Sequence, residues 1–198
     1  MTEHHLGGGA GTPPTHESRG FTIWLTGMSG SGKSTVTALL ERDLRARGLR
    51  VEVLDGDVVR TNLSQGLGFT REDRDTNIRR VGWVCEILSR NDVVAIAAVI
   101  SPYRAVRDEV RSRIGRFVEV YMEAPVEVLA ARDVKGLYRK ALDGEIPNFT
   151  GVTDDYERPL NPEVICYSDG RETPEKSAAN VIAKLEERRY IVGRSSII

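Results

Sequence analysis

A chain of 198 residues, 40% hydrophobic and 29% charged, is long enough for one ordinary packed domain. Its 28 basic and 29 acidic residues give a formal net charge of -1, which argues against wholesale binding to nucleic acid or to a membrane surface. The two cysteines, Cys85 and Cys166, lie far apart without metal-ligand spacing, which fits a reducing, cytoplasmic setting, and no apolar run approaches the length of a bilayer span.

Residues 1–20 are rich in Gly, Pro, Thr and His and lack the basic start and apolar core of a signal peptide. They read as a disordered leader, with His4 and His5 incidental, ahead of a single domain over 21–198. FTIWLT at 21–26 predicts a first strand, and a helix is expected from Lys33 to Arg47, stopped by Gly48. Val51 to Leu54 is a short second strand, and the polar stretch from Asp55 to Phe69 is expected to be irregular. Thr70 is a candidate N-cap, with acidic residues in the first turn of a helix running to Arg90. Val93 to Ile100 is a continuous apolar run, the mark of a buried parallel strand. Pro102 suits the first turn of a helix to Ile114. A strand at 117–122, a helix at 125–133, a loop-rich stretch at 134–162, a strand at 164–167 and a helix at 174–189 complete the chain. Strand and helix alternate from end to end, so the expected fold is an α/β sandwich with a mostly parallel sheet and no second domain.

The segment Gly27-Met28-Ser29-Gly30-Ser31-Gly32-Lys33-Ser34 is a complete G-x-x-x-x-G-K-[ST] phosphate loop, following an apolar strand and opening a helix. Its glycines let successive N–H groups face phosphate oxygens, Lys33 suits the β- and γ-phosphates, and the Ser34 hydroxyl suits Mg²⁺. The chain has no base-reading Asn-Lys-x-Asp, and its apolar strand ends in Ile100-Ser101-Pro102 rather than Asp-Glu. A small-molecule or nucleotide kinase therefore fits better than a GTPase or a motor. Asp55-Gly56-Asp57 puts two carboxylates at a strand end, where they could hold Mg²⁺ or take a proton from an acceptor hydroxyl. Arg74 shares a helix face with Asn77, as does Asn77 with Arg80, an arrangement suited to an anionic, hydrogen-bonding substrate. Phe69 and Phe149 sit in two glycine-containing loops and could sandwich a base.

These pieces together resemble the adenylylsulfate (APS) kinases, which phosphorylate the 3′-hydroxyl of adenosine 5′-phosphosulfate with ATP. The matching stretches are GMSGSGKST at 27–35, LDGD at 54–57 with Arg60, GLGF at 66–69, DRDTNIRR at 73–80, ISPYR at 100–104, DVKGLYRKA at 133–141 and GEIPNFTGVTDDYERP at 144–159. The resemblance implies a P-loop three-layer sandwich with a mobile lid. It implies MgATP on Gly27 through Ser34, with Thr35 and Arg132, and metal ligands in Ser34 and Asp57. It puts Asp57, Arg60, Phe69, Arg74, Asn77, Ile100, Ser101, Lys135, Leu137 and Phe149 around APS, the two phenylalanines on opposite faces of its adenine. Lys33, Asp57 and Ser101 are the implied catalytic residues, Ser101 matching a serine associated with a phosphoserine intermediate; direct in-line transfer needs no such step. The resemblance also implies a homodimer and coupling to ATP sulfurylase, a domain that 198 residues are too few to include. The chain departs from the family at Val58, where Asn is usual, and at Tyr103, where Phe is common. Two other readings stay open: a related kinase with another acceptor, such as a modified cytidine diphosphate, and a non-catalytic nucleotide sensor.

Overall fold

The computed structural model describes residues 19–133 and 136–193. The expected leader, apart from Arg19 and Gly20, lies outside the described residues. Every residue of the first strand, β1 (Thr22–Thr26), is buried, as a strand covered on both faces requires. It pairs in parallel with β3 (Val94–Ala98) on one side and β4 (Phe117–Glu123) on the other. β2 (Val51–Asp55) and β5 (Val164–Tyr167) take the outer positions, giving the parallel order β2-β3-β1-β4-β5.

Side chains alternate along β1, so the strand feeds two cores. Ile23 and Leu25 join Val36, Leu40 and Leu44 of α1 (Lys33–Ala46) and Val181 and Leu185 of α7 (Pro174–Glu187). Trp24 turns to the opposite layer with Ile78, Val81 and Cys85 of α3 (Arg71–Arg90) and Val106 and Val110 of α4 (Arg104–Ile114). The chain thus leaves β1 for one face of the sheet and β3 for the other, which opens a crevice between their C-terminal ends.

Side-chain caps start three of the described helices. Thr70 accepts a bond from Asp73 N at the start of α3, and Thr173 accepts one from Lys176 N at the start of α7. Three expectations need correction. The stretch after β2 is not wholly irregular: Asp55 accepts a bond from Asp57 N and starts a short helix, α2 (Gly56–Asn62). Pro102 precedes α4 instead of sitting in its first turn, because Tyr103 is the extended N-cap. The loop-rich stretch contains α6 (Leu137–Leu142), with Asp133 Oδ1 and Oδ2 accepting bonds from Tyr138 N and Arg139 N; α5 (Val126–Arg132) ends just before that aspartate.

One buried ion pair crosses the second layer. Arg107 of α4 donates to Glu119 Oε1 of β4 at 2.9 Å, and both side chains are almost wholly enclosed. Arg111 donates to the other oxygen of Glu119 at 3.1 Å and to Glu163 at 2.7 Å. Burying charge is tolerable because each is matched and hydrogen-bonded.

α3 and α4 approach closely at Gly82. A methyl group there would lie 2.5 Å from Val110 Cγ2, so Gly82→Ala forces the helices apart. The expected cost is about 1–3 kcal/mol from overpacking, read as a lower urea midpoint, with recovery when Val110→Ala is added. An unchanged midpoint for the single variant would contradict this packing.

Candidate active site

The loop from Gly27 to Gly32 turns back at the end of β1. Gly27 has φ 150°, and a Cβ there would sit 2.6 Å from the Met122 carbonyl, so no larger residue fits. Gly32 is the N-cap of α1 at φ 83°, and no side chain caps that helix. Its first N–H groups are left for an outside acceptor, and the helix dipole favours an anion. Lys33 Nζ donates to the carbonyls of Gly27 and Met28, each at 2.8 Å, so a cation already lies across the loop.

The Ser34 hydroxyl donates to Asp55 Oδ2 at 2.7 Å. Asp55 also caps α2, so one carboxylate joins the phosphate loop to the helix that bears Asp57 and Arg60. A hydroxyl and a carboxylate this close are hard oxygen donors of the kind Mg²⁺ takes when it keeps waters and phosphate ligands. Among the described residues no group of three or more His, Cys, Asp and Glu could hold a metal. A cation here would therefore depend on nucleotide oxygens as well as on the protein.

A cavity of about 410 Å³ lies between these elements. Its walls include Ser29 through Thr35, Asp55, Asp57, Arg60, Arg74, Asn77, Ile100, Ser101, Arg132 and Leu137. Most of the anticipated donor and acceptor residues therefore face one space. Gly27, Met28, Phe69 and Phe149 are not among its walls, and Lys135 lies outside the described residues. Arg132 donates to Ser168 Oγ at 3.2 Å, linking the end of α5 to the turn after β5.

The two aromatic loops are joined by one guanidinium. Arg74 Nε donates to the Phe69 carbonyl at 3.0 Å, and Nη2 donates to the Asn148 carbonyl. Phe69 is half-exposed, with the Arg60 guanidinium 4.5 Å from its ring centre. Phe149 packs edge-on against Tyr138 of α6 at 5.0 Å, within a small cluster that also holds Met28 and Leu129. Asn77 Oδ1 accepts a bond from Ser64 Oγ at 2.5 Å, which orients the amide.

Ser101 lies at the end of β3 with φ 42°, an uncommon conformation for a residue with a side chain. Its hydroxyl is buried, accepts from Trp24 Nε1 at 3.1 Å and donates to Thr26 Oγ1 at 2.9 Å. Thr26 in turn donates to the Ile100 carbonyl at 2.7 Å and lies 2.9 Å from the Tyr156 hydroxyl. Burial pushes the Tyr156 phenol well above its ordinary range, so it stays protonated in its hydrogen bond with Thr26, in which either hydroxyl can donate. The loop after Phe149 is thereby tied to the ends of β1 and β3. Tyr103 adds a second tie, its hydroxyl donating to Asp154 Oδ2 at 2.9 Å. Thr26, Tyr103, Asp154 and Tyr156 were absent from the site expected from sequence. Asp154 and Tyr156 lie within the quoted 144–159 stretch and Tyr103 within ISPYR, but no spacing rule connects them with Thr26.

The family model for adenylylsulphate kinase matches residues 19–167. An adenylyl-sulfate kinase of Rippkaea orientalis is 58% identical over 88% of this chain and 96% of its own length. A probable bifunctional SAT/APS kinase of Sorangium cellulosum is 56% identical over 90% of this chain, which spans only 31% of that larger protein. The APS kinase of Mycobacterium tuberculosis, solved in complex with AMPPNP and APS, superposes with a TM-score of 0.80 at 40% identity, covering 86% of this chain and 99% of the other.

Burial, and then the bond to Asp154, push the Tyr103 phenol up to about 12, so it remains a donor at any working pH. Tyr103→Phe removes that one hydroxyl and leaves the ring in place. The expected loss is about 1.5–3 kcal/mol, since the partner is a carboxylate, read from urea denaturation. An unaltered midpoint would remove Tyr103 from the support of the loop.

Proposed function

The chain belongs to the adenylylsulphate kinase family and so phosphorylates the 3′-hydroxyl of adenosine 5′-phosphosulfate, and we propose that ATP and APS meet in the cavity between the phosphate loop and α3. One observation carries this reading. Lys33 and Ser34 at the start of α1 line the same cavity as Arg60 of α2 and Arg74 and Asn77 of α3, so groups suited to a phosphate donor and to an anionic acceptor share one space.

The ATP phosphates take the N–H groups from Gly27 to Thr35, and the helix N-terminus of α1 supports their charge. Lys33, lying over its own loop carbonyls, is the cation within reach of the β- and γ-phosphates. Arg132, held by Ser168, borders the nucleotide on the side of α5. Bound Mg²⁺, held by Ser34 and Asp55 with Asp57 close by in sequence, would neutralise developing charge on the phosphates.

The acceptor lies toward α2 and α3. Arg60 and Arg74 oppose its phosphosulfate, Asn77 offers a fixed amide, and Ile100 and Ser101 form the end wall. Phe69 and Phe149 provide faces for the adenine, with Arg74 setting the carbonyls beside both rings. Asp57 orients the 3′-hydroxyl and accepts its proton as the hydroxyl oxygen attacks the γ-phosphorus. The bond to the β–γ bridging oxygen breaks and ADP leaves. Such transfer relies mainly on positioning and electrostatic stabilisation. Ser101 then acts as a fixed wall, its hydroxyl donating to the Thr26 hydroxyl, which is no general base that could activate it as a nucleophile. Leu137, the first residue of α6, borders the cavity where a lid would close over both substrates. A cytoplasmic setting, supported by two buried, unpaired cysteines, and a homodimeric assembly complete the reading. The fused relative lends support to coupling with a sulfurylase.

Incubation with MgATP and a panel of nucleotide acceptors should yield ADP with APS; ADP formed only with another acceptor, or with none, would refute the assignment. Lys33→Ala should lower kcat by about a hundredfold or more with an unchanged circular dichroism spectrum, and near-normal turnover would remove Lys33 from phosphoryl transfer. Phe149→Ala should weaken APS binding by about 1–3 kcal/mol with ATP binding retained, as titration calorimetry would measure. Wild-type APS affinity in that variant would sink the aromatic sandwich.

A further inference from the structure

We infer that Arg107, which lies behind the cavity and lines none of it, is the positioning residue that sets the acceptor side of the active site. Its guanidinium reaches three separate pieces of the fold. Nε donates to Glu119 Oε1 of β4 at 2.9 Å, Nη1 to the Ser101 carbonyl at 2.5 Å, and Nη2 to the Glu157 carbonyl at 2.6 Å. Ser101 is the strained residue at the end wall, and Glu157 closes the segment that carries Phe149.

Glu157 is held from its other groups as well. Its N–H donates to the Pro102 carbonyl at 2.8 Å, and its carboxylate accepts from Arg104 N at 2.8 Å. Those bonds join the aromatic loop to the turn before α4, and Arg107 joins both to the sheet. Glu119 balances the charge, so the guanidinium contributes fixed geometry and not an added field on the substrate. A planar fork with donors in three directions suits this task, whereas an ammonium on a flexible stem can meet Glu119 without holding both carbonyls. Ser101 can keep φ 42° because its side chain is bonded on two sides and its carbonyl is held by Arg107.

This inference rests on the reading that APS occupies the side bounded by Ser101 and Phe149. Its test is steady-state kinetics on Arg107→Lys and on the double variant Arg107→Leu with Glu119→Leu. The pair replacement removes both buried charges together, a change often tolerated by a fold. In both variants the KM for APS should rise about tenfold while the KM for ATP stays within about twofold, because a misplaced wall harms one substrate only. Arg107→Lys, which retains the Glu119 partner, should not restore the KM for APS. Equal rises in both KM values, an unchanged KM for APS, or loss of folding in both variants would overturn the inference, the last by making Arg107 a support of the core alone. Phe149→Ala assayed alongside separates the two failures. If it leaves the KM for APS unchanged, the acceptor reading falls; if it raises that KM and the Arg107 variants do not, only the role of Arg107 falls.

Discussion

The join between the C-terminal ends of β1 and β3 governs the rest of the molecule. Register places Leu25 beside Ala98, so the phosphate loop and the Ile100–Pro102 turn leave the sheet side by side. The Ser101–Thr26 hydrogen bond closes that join, with Trp24 bonded beneath and Tyr156 above. Because the next helices pack on opposite faces of the sheet, no helix covers the gap between the two turns. Everything that handles two substrates is arranged around that gap.

Loops have little apolar area with which to hold themselves, so polar ties do the holding here. Arg74 links the Phe69 and Asn148 carbonyls, Tyr103 holds Asp154, and Arg107 holds Ser101 and Glu157. Each tie is costly to bury unless matched, and in each the donor meets a carbonyl or carboxylate. Left-handed backbone recurs at these places: Ser101, Asp133 and Asn148 all have positive φ. Such conformations persist only where surrounding bonds over-determine them. The cluster of Met28, Leu129, Tyr138 and Phe149 gives the donor loop and the aromatic loop a shared floor. A Cβ at Gly151 would come within 2.5 Å of the Met28 sulfur, a measure of how closely those loops approach.

The strands and long helices were legible from local pattern because burial imposes local rules. Five apolar stretches became five parallel strands, and Thr70 capped α3 as its side chain allows. The phosphate loop was legible because phosphate binding needs consecutive N–H groups, which adjacent residues supply. α2 is not legible in sequence because its seven residues carry no apolar period, and its start depends on Asp55 folding back onto the Asp57 N–H. That Asp55 is the carboxylate bonded to the Ser34 hydroxyl is equally unmarked in sequence, since two aspartates flanking a glycine look alike in one dimension.

The chain's order of residues by itself determined the class of fold, the donor loop, the family, and most residues that line the cavity. These rest on short-range chemistry: periodic burial, caps, and contiguous motifs. Only the tertiary structure decided that Ser101 is locked between Trp24 and Thr26, that Arg74 spans both aromatic loops, and that Arg107 stands behind the acceptor wall. Those contacts join residues up to 77 positions apart. A directed hydrogen bond between distant residues leaves no periodic mark along a chain, because it depends on where two strands and a loop end in space.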